Sequence, residues 1–199
     1  MGSSQADKAA SHERIVAAAA ARIRRDGMAA VNVSDLMQDA GLTHGGFYRH
    51  FGSRDDLITE AVDVALMHGS RRTDAAARLG GIPALEAIID GYLSRVHRDK
   101  PETGCAIAAL PADISRSGTR TREAYGRQVR RYVDLLADLT PGSEPEAKRE
   151  EAFLILAALV GALSMARAVG ESELGDEILA RTARALHGHI DDRISRTGE

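Results

Sequence analysis

In Asn32-Val33-Ser34-Asp35-Leu36-Met37-Gln38-Asp39-Ala40-Gly41-Leu42-Thr43-His44-Gly45-Gly46-Phe47-Tyr48-Arg49-His50-Phe51, two short helical patterns meet at a glycine turn. The Asn32 side chain can accept from the backbone N–H of Asp35, and Asp35 favours the positive end of a helix, so a helix starts at Val33. Gly41 closes it. Thr43 can cap a second short helix running to about Phe51, in which Phe47 and Phe51 lie one turn apart and share a face with Leu42 nearby. Two short capped helices joined by a tight glycine-containing turn match a helix-turn-helix, whose second helix can enter the DNA major groove.

The flanks extend the pattern. Ser11 to Asp26 carries Ile15, Ala19 and Ile23 at a spacing of four, with Gly27 as a helix stop. Gly52 ends the Thr43 helix, and Ser53 with Asp56 forms a capping-box variant opening a helix through Leu57, Ile58, Ala61, Val64 and Ala65. The polar, Ala-rich segment from His68 ends in Gly80-Gly81, a helix tail and a break. Pro83 then opens a helix whose apolar residues are Leu85, Ile88, Ile89, Tyr92, Leu93 and Val96. Pro101 to Gly104 is a break, and Cys105 to Ile114 is a compact apolar segment interrupted by Pro111. Tyr125, Val129, Tyr132, Leu136 and Leu139 form the next helical face. A loop at Thr140 to Pro145 leads to two last helices, about Glu146 to Val169 and Leu174 to Arg196. Short alternating runs that mark strands are missing, so the fold expected is all-α with about nine helices.

Composition narrows the function. The 199 residues suffice for one large domain or two small ones. The single cysteine, Cys105, excludes an internal disulfide and points to a reducing compartment, the cytoplasm. The charged N-terminus lacks the apolar core of a signal peptide. Ala152 to Ala166 falls short of the roughly 20 residues that cross a bilayer, so it reads as a buried helix and no membrane partner is expected. Net charge is −3; residues 1 to 54 carry a mild positive excess and the remainder is acidic. No HExxH, GxGxxG, P-loop or GxSxG sequence occurs, and the seven histidines form no close-spaced ligand set, so neither enzyme activity, metal nor cofactor is expected.

The helix opened by Thr43 has a surface suited to DNA. With Leu42, Phe47 and Phe51 turned to the core, the opposite face offers His44, Gly45, Tyr48 and Arg49. Gly45 and Gly46 each cost a helix about 1 kcal/mol relative to Ala, which points to clearance for a sugar-phosphate edge.

Gly41 to Leu57, preceded by Ile15, Gly27 and Val33 at compatible offsets, resembles the TetR/AcrR family of transcriptional regulators. The match covers roughly residues 11 to 60. The resemblance implies a homodimer of nine-helix subunits, with a three-helix helix-turn-helix DNA-binding domain at residues 1–56 and a helical effector-binding and dimerisation domain at 57–199. It implies phosphate contacts from Asn32, Thr43, Tyr48, His50 and Arg54, and base-edge positions at His44, Gly45, Tyr48 and Arg49. Met37 departs from the small Ala usual in the family, and His44 from its frequent Lys.

A regulator released from a palindromic double-stranded operator by a small-molecule effector needs an apolar cavity with a few polar groups. Its candidate lining is Tyr92, Cys105, Ile107, Leu110, Tyr125, Val129, Tyr132, Phe153 and Met165. Six arginines between Arg116 and Arg131 read as a solvated helix face. Cys105 reads as buried and inert, with a thiol-based redox sensor as the alternative. The last two helices present wide apolar surfaces that a four-helix bundle between two subunits would cover, predicting a homodimer. The other function considered is a helical interaction protein without DNA binding.

Overall fold

The computed structural model describes residues 5–197; the side chains of His44, Ser70, Arg196 and Thr197 lie outside the described set. Within it are ten α-helices: α1 (Gln5–Asp26), α2 (Val33–Asp39), α3 (Arg54–Ala77), α4 (Gly81–Tyr92), α5 (Arg95–Asp99), α6 (Ala106–Ala109), α7 (Pro111–Ser115), α8 (Thr119–Leu139), α9 (Pro145–Val169) and α10 (Glu173–Thr197). Three one- or two-turn 3-10 helices lie at Met28–Ala30, His44–Arg49 and Pro101–Thr103. The all-α expectation stands, and three differences in detail have local causes. Pro111 splits the Cys105 to Ile114 segment into α6 and α7, because a proline at the first helical position starts a helix but cannot continue one. Ser94 caps the His97 N–H at 3.2 Å and begins α5 as a new helix, so Val96 loses the phase of α4 and is exposed. The segment after Thr43 is a 3-10 helix without a side-chain cap, not an α-helix capped by Thr43. Two consecutive glycines there weaken the i to i−4 ladder, and the tighter turn takes its place.

The chain divides into two compact units, Met1–His68 with Pro101–Tyr125, and Gly69–Lys100 with Gly126–Glu199. In the first, Ile15, Ala19 and Ile23 of α1 are fully buried, as their spacing predicts. Leu36 and Met37 of α2, Phe47, Phe51, and Leu57 and Ala61 of α3 complete the core of the N-terminal helices. Phe47 and Phe51 pack with ring centroids 5.4 Å apart, and His12 stacks on Phe51 at 4.6 Å while its Nε2 meets Glu60 at 2.7 Å. Arg22 pairs with Asp39 at 2.7 Å, joining α1 to α2.

In the second unit α9 packs on α10, and Ile155, Leu159 and Leu163 of the one and Leu179, Leu186 and Ile190 of the other are buried. α9 has 25 residues, longer than the apolar stretch read from sequence, and by length and composition alone it could cross a membrane. Here one side of it is buried against its neighbours. α5 is held by its own backbone: Arg167 donates to the His97 carbonyl at 2.7 Å, and the His97 Nδ1 to the Tyr92 carbonyl at 2.8 Å. Buried Arg98 bridges Asp99 at 2.6 Å and Asp176 at 2.8 Å.

Burial pushes His97 down from its ordinary 6.5 to about 4, with Arg167 and Arg72 adding repulsion. The unfolded chain therefore binds the extra proton first, between pH 6.5 and 4. Stability from this group is complete above pH 6.5 and is lost on acidification through that window. By pH 5 the loss is about 2 kcal/mol. Urea denaturation at pH 7.5 and 5.0 checks it: His97→Gln is expected to flatten the difference, and an unchanged difference refutes the assignment.

Candidate DNA interface

Asn32 caps α2, its Oδ1 accepting from Ser34 N–H at 2.8 Å and Asp35 N–H at 3.5 Å. After α2 the Gly41 backbone takes φ +70°, a conformation open mainly to glycine, and Leu42 N–H closes back on the Met37 carbonyl at 2.8 Å. That turn presents His44–Arg49 across α2. Phe47 is the anchor of this segment, only 2% exposed, while the adjacent Tyr48 is 70% exposed and meets Phe47 edge-on at 5.3 Å. Thr43, Gly45 and Arg49 are exposed beside Tyr48. An anchored aromatic below and a solvated aromatic above fix one face of the segment to the protein and leave the other free for a partner.

The two glycines differ. A Cβ on Gly46 would sit 3.6 Å from Met37 Cε and from Thr43 Oγ1, ordinary contact with atoms the chain already has there. A Cβ on Gly45 would meet nothing within 4 Å, and its φ is not in the left-handed region. Nothing inside the protein asks for glycine at 45.

Two predicted phosphate contacts are placed differently from Tyr48. His50 turns partly inward: its Nδ1 is buried, its ring lies 6.0 Å from His12 and 6.2 Å from Phe51, and burial holds its pKa below the usual value. The residue as a whole is half-buried, against 70% exposure at Tyr48. Arg54 donates from Nε to the Val31 carbonyl at 3.1 Å and from Nη2 to the Met28 carbonyl at 2.8 Å. Its guanidinium braces the turn before α2, a task that no local spacing could reveal. The His44 backbone belongs to the 3-10 segment, and its side chain falls outside the described residues.

A model of the bacterial regulatory proteins of the tetR family matches residues 15–61. An uncharacterized HTH-type transcriptional regulator of Mycobacterium tuberculosis is 34% identical over 163 residues, covering 78% of this chain and 83% of the relative. The chain belongs to the TetR family of transcriptional regulators. A TetR regulator from Chloroflexus aurantiacus shares the fold at a TM-score of 0.76 and 22% identity, covering 95% of this chain and 98% of that one. One from Legionella pneumophila does so at 0.74 and 16%, covering 94% and 98%. As a TetR-family member the protein is a DNA-binding helix-turn-helix regulator of transcription, from a family of non-enzymes.

The nine effector candidates of this TetR-family chain separate into two groups. In the first unit Cys105, Ile107 and Leu110 are buried, and the half-buried Tyr125 donates its hydroxyl to the Ile107 carbonyl at 3.0 Å. Burial raises the Tyr125 phenol to about 12, so it stays a neutral donor. In the second, Tyr92 and Tyr132 are buried and Val129 is half-buried. Phe153 and Met165, expected to line an interior cavity, are instead 49% and 55% exposed, because the apolar surface of α9 is wider than the chain itself covers. Arg149 lies over the Phe153 ring at 5.5 Å. All six arginines between Arg116 and Arg131 are exposed, as a solvated face requires.

Proposed function

We propose that the protein is a ligand-responsive repressor that binds a palindromic DNA operator as a homodimer in the cytoplasm and is released by a small-molecule effector. Residues 1–56 carry the DNA contacts and 57–199 bind effector and partner subunit. The observation that supports this most is the exposed face of Thr43, Gly45, Tyr48 and Arg49 on a segment pinned from beneath by Phe47. Tyr48 supplies a phenol to a phosphate or base edge, Arg49 a cation, and Gly45 the absence of a side chain where a duplex comes near. Asn32, Thr43 and Gly46 border the same face, and His44, His50 and Arg54 complete the set that the family resemblance assigns to DNA. The residues this reading gives to the effector are Cys105, Ile107, Leu110 and Tyr125 in the first unit, and Tyr92, Val129 and Tyr132 in the second.

Selection of bound fragments from a genomic library tests the reading. The expected product is a two-fold symmetric sequence whose half-sites lie about one helical turn, 34 Å, apart or somewhat wider. Failure to enrich any sequence overturns it.

The dimer rests on a second observation. Leu154, Met165 and Val169 lie within one stripe of α9, all exposed, with Leu174 and Ile194 exposed on α10. Apolar surface of that extent on the two longest C-terminal helices matches an interface between copies. Light scattering at micromolar concentration is expected to give twice the chain mass, and Leu154→Glu with Met165→Glu to give a monomer. A monomeric wild type refutes the dimer.

A further inference from the structure

The one-turn helix Met28–Ala30 has an end that its own residues do not cap. Its N-cap is Gly27, which offers no side-chain acceptor to the free N–H groups. The acceptor arrives from 85 positions downstream: Asp113 Oδ2 takes the Met28 N–H at 3.1 Å. Gly27 has φ +85°, and a Cβ there would lie 3.0 Å from the same oxygen. Glycine thus both adopts the backbone angle and leaves the carboxylate room. The second oxygen, Oδ1, faces Arg116 Nη2 at 3.3 Å.

A cation holds the opposite end. Arg54 donates to the Met28 and Val31 carbonyls, so a carboxylate sits at the N-terminal end of the turn and a guanidinium at its C-terminal end, each matched to the partial charge it meets. Buried Arg24 of α1 donates from Nε to the Glu102 carbonyl at 2.8 Å, which seats the Pro101–Thr103 turn against α1. Asn32, the cap of α2, follows Val31 directly. The Met28–Val31 turn therefore sets how α2 leaves α1.

We infer that Asp113 is a positioning residue for operator recognition: by capping Met28–Ala30 it holds α2, and the His44–Arg49 segment behind it, at the angle that DNA requires. The inference rests on the DNA-binding reading above. It extends the recognition machinery to a residue outside the stretch 15–61 that the family model covers.

Full-length Asp113→Ala and Asp113→Asn test it, with affinity for the selected operator measured across a salt series and amide exchange read residue by residue. Asp113→Ala is expected to bind about tenfold more weakly, the effect of removing one hydrogen bond to a charged group. Its salt slope stays that of the wild type, because Asp113 meets no phosphate. Exchange at Met28 is expected to quicken at least about tenfold while Ile15 to Ile23 keep their protection. Asp113→Asn, which retains one acceptor oxygen, recovers most of the affinity. Wild-type affinity in Asp113→Ala overturns the inference, as does equal loss of protection throughout α1, α2 and α3, which marks a residue that merely holds the fold. A wild type that selects no DNA overturns the proposed function and the inference together; an unaffected Asp113→Ala removes the inference alone.

Discussion

Gly45→Leu is expected to lower affinity for the selected operator at least about a thousandfold, to the level of nonspecific DNA, without destabilising the protein. The chain places no atom within 4 Å of a Cβ at this position and asks for no unusual φ there. A side chain is therefore free of strain in the isolated protein and gains roughly 0.5–1 kcal/mol of helix propensity over glycine. The same side chain points outward between Thr43 and Tyr48, where an approaching duplex would meet it. Gly46 makes the contrast instructive: a Cβ there already touches Met37 and Thr43 at 3.6 Å, so a side chain at 46 packs against the protein where one at 45 meets only solvent. Fluorescence anisotropy with labelled operator, alongside thermal melting, separates the two. Affinity within threefold of wild type for Gly45→Leu would remove the clearance argument.

The second large effect is on stability. Phe47→Ala should cost about 3–5 kcal/mol, since the ring is almost fully buried and loses its packing on Phe51. Tyr48, its neighbour in sequence, is the reverse case. Tyr48→Ala removes a mostly exposed ring and is expected to change stability by about 0.5 kcal/mol or less, yet to weaken operator binding at least about tenfold through loss of the base-edge and phosphate contacts proposed for it. Urea denaturation followed by circular dichroism reads the first change, and gel shift the second. Should Phe47→Ala cost under about 1 kcal/mol, Phe47 is not the anchor described.

What could be read in advance followed the range of each interaction. Helix periodicity and caps act within a few residues, so Ile15, Ala19 and Ile23, the Asn32 cap and the Phe47–Phe51 pair were legible, and with them the all-α fold and the family. The break at Ser94 carried a visible signal, a capping serine inside an apolar run, that periodicity alone passes over. Long-range polar contacts left no trace in local spacing. Arg54 looked like a surface cation and is committed to two carbonyls 23 and 26 residues away; His50 looked outward and its Nδ1 is buried near His12. Asp113 gave no hint of Met28. Phe153 and Met165 failed for another reason: an apolar residue on a helix predicts burial against something, but not whether that something is this chain or another molecule.

The sole thiol, Cys105, is 4% exposed. A cysteine engineered at the exposed Gln38 would consequently be the one that maleimide reagents reach first. Spin labels or fluorophores attached there would turn the proposed dimer into its own ruler, reporting the separation of its two recognition segments in solution with and without DNA.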